Sequence, residues 1–205
     1  GAPGAAEAAQ MDDPDELKHA LRAEATRLFV GAPEPTCSPY EGVWRAADDG
    51  VQALLFVNPH SMDVERFCKA CGLGRPEGTN EPLDHIATEM ELLEYLALRA
   101  AADAMDAEAE ADVEAGGDGA PTEEQAEQYE EIGDDLDTFD EGEEPGDVVA
   151  SADLPGGSPE AAWNEFMTDH AKVWMPEFAA TCEKDSHVPF YRTAASLLGA
   201  FIAAL

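Results

Sequence analysis

An all-α fold is what this 205-residue chain predicts, and three observations carry the prediction. Apolar residues return every three or four positions in several separate segments, the period of a helix packed on one face. Those segments open on helix-start signatures: Asp13-Pro14, Asn58-Pro59, Pro82 and Ser158-Pro159-Glu160. No run alternates apolar and polar residues as a paired strand does. The length suits one ordinary domain with an insert, and a hydrophobic fraction of 44% allows a real core.

Taken in order, Asp13 caps a first helix in which Leu17, Leu21, Ala25 and Leu28 recur at helical spacing beside Phe29, with Gly31 and Pro33 ending it. Ala32 to Tyr40 is Pro-rich and reads as loop, followed by Tyr40 and Trp44, aromatics placed to line a groove. Val51 to Val57 is a short apolar run, either strand or buried turn. Asn58-Pro59 opens a helix carrying Val64, Phe67 and Cys71 and closed by Gly72. From Pro82 a longer helix is expected, with Leu83, Ile86, Met90, Leu93 and Ala97 as its apolar stripe and Glu89, Glu91 and Glu94 off it. After Ser158-Pro159, one face joins Trp163, Phe166, His170, Val173 and Trp174, and Pro176 either kinks that helix or starts the next. Phe190, Ala194, Leu197, Phe201 and Leu205 form the apolar stripe of a last helix.

Charge is concentrated. The chain has 45 acidic residues against 11 Lys and Arg, for a formal charge of −34, and 22 of the acids lie between Asp103 and Glu160, where there is no Lys or Arg. Such a segment buries too little apolar surface to offset its ordering entropy, so its centre, Ala107 to Gly157, is expected to be a mobile or weakly helical insert. The organisation read from the chain is therefore a disordered N-terminal segment (1–12), an N-terminal helical half (13–102), an acidic insert or hinge (103–160) and a C-terminal helical half (161–205). The insert is either a solvated spacer or an electrostatic gate that attracts or competes for basic partners.

The same charge makes nucleic acid and anionic membranes poor partners, because phosphate binding needs clustered Lys and Arg. The longest apolar run, Thr193 to Leu205, is shorter than the roughly 20 residues a membrane helix needs, so no stable membrane insertion is expected. The N-terminal stretch lacks the charged and apolar regions of a signal peptide, and four cysteines do not make a disulfide scaffold; a cytoplasmic location with reduced thiols is expected. The first residue is Gly1, so the natural N-terminus is read as partly missing or replaced.

No phosphate-binding loop, Gly-x-Ser-x-Gly elbow or HExxH motif is present; Gly72-Leu73-Gly74 with Gly78 has the wrong spacing for a dinucleotide turn. The chain reads as no enzyme, with no cofactor and no metal. Cys68-Lys69-Ala70-Cys71 is a CxxC, either a redox or half-zinc motif or two semi-buried helix cysteines. Trp163, Phe166, His170 and Trp174 read as core around one histidine rather than a ligand site. In Glu81-Pro82-Leu83-Asp84-His85, Asp84 and His85 are expected in a helix's first turn, where the dipole favours an ionised Asp84 and disfavours a charged His85, with Glu89 in reach of the His85 ring. The plainer alternative is a capping Asp84 and a half-exposed His85.

Four segments, in order, resemble the TorD/DmsD family of chaperones for molybdenum enzymes. Arg27-Leu28-Phe29-Val30-Gly31 is similar to the family's RLFVGP helix end, and Ser38-Pro39-Tyr40-Glu41-Gly42-Val43-Trp44 to its PPxxSVW loop, with Gly42 where the family usually has Ser. Asn80 to His85 resembles its EPxDH hallmark, and Phe166 to Leu198 its C-terminal block, with His170, Trp174, Phe178, Pro189, Phe190 and Tyr191 in place. Together they cover about half of the chain.

The resemblance implies a single TorD-like helical bundle that binds the twin-arginine leader of the apo form of a molybdenum oxidoreductase and holds it until cofactor insertion and export. By the resemblance, Glu81, Pro82, Asp84, His85, Leu28, Phe29, Pro39, Tyr40 and Trp44 bind the peptide: Glu81 and Asp84 would supply charge near the two arginines, His85 would be a hydrogen-bonding neighbour, and Leu28, Phe29, Tyr40 and Trp44 would line the apolar part. The implied state is a monomer or a dimer that exchanges halves across the hinge. Few residues precede Leu28, so either a neighbouring subunit completes the bundle or the chain is trimmed at this end. A guanine-nucleotide-binding protein and a metal-binding protein using His85, Glu89 and the CxxC are the alternatives.

Overall fold

The computed structural model describes residues 14–48, 58–75, 81–114 and 148–205. These residues form seven α-helices: α1 (Pro14–Ala25), α2 (Glu41–Asp48), α3 (Pro59–Ala70), α4 (Ile86–Glu114), α5 (Pro159–Phe166), α6 (Lys172–Asp185) and α7 (Pro189–Ala204). Among the described residues the only extended pairing is an isolated antiparallel bridge between Tyr40 and His85, so the all-α expectation holds. The run Val51 to Val57 and residues 115–147, the middle of the acidic segment, lie outside the described residues, as does Asp13. Asp103 to Glu114, the start of that segment, continues α4 as helix.

The chain forms two compact units. The first takes Gly1–Met62, Asp84–Ile86 and Thr168–Leu205; the second takes Asp63–Leu83 and Ala87–Met167. In the first unit α1 ends on a wider π-helical turn, Thr26–Val30, closed by Gly31 N–H donating to Thr26 O at 2.8 Å. Arg27 fastens that end: its guanidinium donates to both Glu24 carboxylate oxygens at 2.9 and 2.8 Å and to Asp185 O, in the last turn of α6, at 2.6 Å. A cation at a helix C-terminus satisfies carbonyls that have no partner within the helix. Phe178 on α6 is the aromatic hub, with ring centroids 5.6 Å from Trp174, 6.2 Å from Phe29 and 6.3 Å from Trp44.

The helix α6 runs through Pro176 without stopping; a π-helical turn, Met167–Ala171, precedes it. Val173 departs from the expected shared face and is exposed, while Phe166, His170 and Trp174 are buried. The helix α7 corrects the sequence reading more strongly. Phe190, Leu197, Phe201 and Leu205, expected to be its buried stripe, are exposed, Leu197 to 70%, and Ala195 and Ile202 are buried instead. At Gly199 an added Cβ would stand 3.6 Å from the Cβ of Ala179 on α6, a spacing that larger residues would prevent.

In the second unit α3 ends as expected at Gly72, whose φ of +82° admits the left-handed turn. Gly72 N–H donates to Lys69 O at 3.1 Å and Leu73 N–H to Cys68 O at 2.9 Å, the bonding of a Schellman cap. Ser158 caps α5 by accepting Ala161 N–H at 3.1 Å, with Pro159 in the first turn. Arg99 on α4 donates to Tyr95 Oη at 3.0 Å, Val149 O at 2.7 Å and Ser151 Oγ at 3.0 Å, so the chain returns to α4 after residues 115–147. Glu89 was expected on the polar side of α4 with Glu91 and Glu94; those two are exposed, but Glu89 is fully buried.

Candidate functional site

The hallmark segment does not start a helix where the sequence places one. Leu83 and Asp84 form a turn, His85 bridges to Tyr40 and α4 begins at Ile86, because the backbone around Asp84 pairs with the chain entering α2. Glu41 N–H donates to Asp84 O at 3.0 Å and Ile86 N–H to Pro39 O at 2.8 Å. Asp84 and His85 therefore precede the helix rather than sit in its first turn.

The Asp84 side chain pins the same two segments. Its Oδ2 accepts Gly42 N–H at 3.0 Å and the Ser61 hydroxyl at 2.5 Å; its Oδ1 is buried without a hydrogen-bond partner. At 1% exposure the carboxyl is held above its ordinary range by burial, opposed by the bonds from Ser61 and Gly42. Asn58 completes the cluster, donating from Nδ2 to Gly42 O at 2.6 Å while its Oδ1 accepts His60 N–H at 2.8 Å. Gly42 is here for lack of space: a Cβ would fall 2.3 Å from Ser61 Oγ, 3.0 Å from Asp84 Oδ2 and 3.2 Å from Asn58 Cγ. Where the resemblance has a serine before Val-Trp, this chain brings the hydroxyl from Ser61 on α3.

Beside this cluster Glu41 is fully buried and shared. Arg45 Nη1 donates to its Oε1 at 2.8 Å, and His170 Nδ1 lies 3.0 Å from Oε2. Arg45 also donates to Asp169 O at 3.1 Å, so one carboxylate joins α2 to the turn before α6. A buried carboxylate with a guanidinium and an imidazole has its charge met; removing one partner leaves it exposed to the low dielectric.

The structure separates the nine residues singled out from sequence into three groups. Leu28, Pro39, Pro82 and Asp84 are buried. Phe29, Tyr40, Trp44 and His85 are half-buried, and Glu81 is exposed. Tyr40 and His85 meet edge to face at 5.2 Å, and Trp44 Nε1 donates to Ser38 O at 2.8 Å. Phe29, Trp44 and Phe178 share one aromatic cluster, completed by Tyr191 at 5.7 Å from Phe29. From the sequence, Ser61, Asn58 and Glu41 have no assigned place in the site, since a single polar residue gives no signal of what it will face.

Among the described residues no group of three or more His, Cys, Asp or Glu could hold a metal ion. The two cysteines of the CxxC are fully buried rather than semi-buried, and burial pushes both thiols up to about 12. Among the same residues no helix is long and apolar enough to cross a membrane.

These features define an all-α protein whose singled-out residues pin segments and frame an aromatic surface. Comparison with protein families then supplies the relationship: the family model of the nitrate reductase delta subunit matches residues 2–131, and the chain belongs to that family. It is a family of NarJ/TorD-type chaperones for molybdoenzyme maturation. Neither curated proteins nor solved structures give a match to the chain.

Proposed function

We propose that this protein is a cytoplasmic, non-catalytic chaperone that binds the twin-arginine leader of a molybdenum oxidoreductase before cofactor insertion and export. The observation that carries the reading is the pinning by Asp84, which ties the Pro39–Trp44 segment to the hallmark segment through backbone and side-chain bonds within the first unit. That arrangement leaves Tyr40 and His85 half-buried side by side, with Phe29 and Trp44 around Phe178 as apolar surface. A leader of this kind is a basic stretch followed by an apolar one, so it calls for carboxylates next to aromatic and aliphatic side chains.

The roles divide by burial. Glu81, exposed and three residues before Asp84 in the chain, offers a carboxylate to an arginine; Asp84 holds the segment in place, and His85 is a hydrogen-bonding neighbour. Leu28, Pro39 and Pro82 are buried and are not expected to touch the peptide. The functional state is a monomer or a dimer exchanging halves across residues 103–160.

Calorimetric titration with a synthetic leader carrying the twin arginines tests the proposal. Glu81→Gln is expected to weaken binding about 10-fold or more, since a hydrogen bond to a charged group contributes about 1.5–3 kcal/mol. Tyr40→Ala is expected to weaken it without changing the salt dependence. No heat with the intact protein, or equal affinity in both variants, refutes the reading.

A further inference from the structure

The last helix, α7, keeps an apolar stripe in solvent that the proposed peptide surface does not use. Phe190, Ala194, Leu197 and Phe201 are all exposed, at intervals of four, three and four residues. That alternation is the spacing of a coiled-coil seam, and it runs along a helix of 16 residues. The helix itself is firmly placed. Ala195 and Ile202 are buried on its other flank, and Gly199 stands against Ala179 on α6. Its start is fastened to α1: the Tyr191 hydroxyl donates to Leu21 O at 3.1 Å, and His187 N–H donates to Glu24 Oε1 at 2.5 Å. We propose that the stripe is a self-association surface, on which two copies of the chain pair α7 against α7, antiparallel and about a two-fold axis.

Charge and shape together select a second copy as the occupant. Among the described helices α7 alone carries no Asp or Glu. In a chain of net charge −34, two copies repel wherever the other helices meet, and α7 is the face that avoids this penalty. It also offers a leader's arginines no carboxylate. Turned about an axis midway between Phe190 and Phe201, the stripe complements itself. Phe190 then faces the partner's Phe201, and Ala194 faces the partner's Leu197, so the branched side chain meets the small one and rings close both ends. The flanking positions, Tyr191, Thr193, Leu198 and Ala200, are uncharged and add no repulsion across the seam. The pairing requires no exchange of halves, because the stripe is already outside in the folded chain.

One helix from each copy makes a small interface, below the roughly 1,200 Å² of a standard stable complex, so the dimer is reversible with a Kd on the order of 10–100 μM. Salt acts on it in a diagnostic direction. Raising KCl from about 0.1 M to about 1 M shortens the screening length from about 10 Å to about 3 Å, which removes repulsion between the acidic bodies and leaves the apolar seam. Association therefore strengthens with salt, whereas an interface of ion pairs weakens.

Sedimentation equilibrium of the full chain, from about 1 μM to about 300 μM, tests the proposal. The average mass is expected to rise from one chain toward two with concentration, and the Kd to fall about 3-fold or more in the higher salt. Leu197→Glu sets a carboxylate in the middle of the seam from each copy and is expected to leave the protein monomeric throughout. Leu197 is largely exposed, so circular dichroism and the urea midpoint of the variant should match the parent. Ser196→Glu adds the same charge at an exposed position of α7 away from the stripe and is expected to pair as the parent does. A monomer at the highest concentration in both salts overturns the proposal, whether the stripe then binds leader peptide, phospholipid vesicles or nothing. A dimer that survives Leu197→Glu, as one made by exchanging halves would, or that weakens as salt rises, overturns it too. Equal loss of pairing in both variants does the same, since added charge rather than the seam would then be responsible.

Discussion

Replacing Gly42 with alanine puts a methyl group where the Ser61 hydroxyl already stands. The added Cβ falls 2.3 Å from Ser61 Oγ, and its other near neighbours, Asp84 Oδ2 and Asn58 Cγ, belong to the same buried cluster. Ser61 can relieve the clash only by rotating away, which gives up its 2.5 Å bond to Asp84. A bond to a charged acceptor contributes about 1.5–3 kcal/mol, and overpacking adds about 1–3 kcal/mol. We therefore expect Gly42→Ala to cost about 3–5 kcal/mol, a large part of the roughly 5–15 kcal/mol that stabilises a typical domain. Ser61→Ala alone should cost about 1.5–3 kcal/mol. Once the hydroxyl is gone, adding Gly42→Ala should cost only about 1–2 kcal/mol more, so the pair should couple by about 1.5–3 kcal/mol. Urea unfolding followed by tryptophan fluorescence measures all four corners of the cycle. The Gly42→Ser/Ser61→Ala double variant, which supplies a hydroxyl from the opposite side, should be more stable than Gly42→Ala. Additivity of the alanine substitutions within about 0.5 kcal/mol refutes the reasoning, because Ser61 would then not be what Gly42 makes room for.

Further expectations concern charge and packing. Bonds from Arg27, His187 N–H and Ser186 lower the Glu24 carboxyl from 4.5 to about 2 against the opposing effect of burial, so its stabilisation is present above pH 4.5 and is lost as pH falls toward 2. Glu24→Gln should flatten that part of the urea-midpoint profile and cost about 2–4 kcal/mol at pH 7. Asp84 has the opposite sign: its folded carboxyl titrates above 3.8, so acidification through that higher value relieves a penalty that Asp84→Asn should abolish. Phe178→Ala should cost about 3–5 kcal/mol in urea unfolding by emptying the space between Phe29, Trp44 and Trp174. Deleting residues 115–147, which carry 14 acids and no Lys or Arg, should slow association with a basic leader and weaken its salt dependence in stopped flow. Unchanged low-salt kinetics would leave that segment as a spacer.

Where the sequence was legible, the signal was local. Gly72 and Ser158-Pro159 announced helix ends because caps depend on the few residues around them. The helical period of Trp163, Phe166, His170 and Trp174 announced α5 and α6, although Val173 turned outward. What failed depended on distant partners. Pro82 is a fair helix opener on its own, yet α4 waits until Ile86 because Glu41 N–H takes up Asp84 O and Pro39 O accepts Ile86 N–H. The stripe on α7 failed for a related reason: periodicity finds an apolar face but not whether Leu197 or Ala195 is the one a neighbour can approach closely. Glu89 and Glu41 look like surface charges on paper, and only the fold buries them.

The burial of Asp84 changes what a functional experiment on the hallmark segment can mean. A carboxylate at 1% exposure, with one oxygen bonded to Gly42 and Ser61, cannot reach a client arginine unless those bonds break first. Loss of leader binding in Asp84→Ala would therefore report that the two segments had come apart, which is a loss of preorganisation rather than of a contact. The distinction can be measured. Removing a contact at the surface, as in Glu81→Gln, should leave stability unchanged within about 0.5 kcal/mol while affinity falls. Removing the pin should lower both together, and stabilising the fold elsewhere should return part of the affinity. Only the first of these behaviours identifies a residue that touches the peptide.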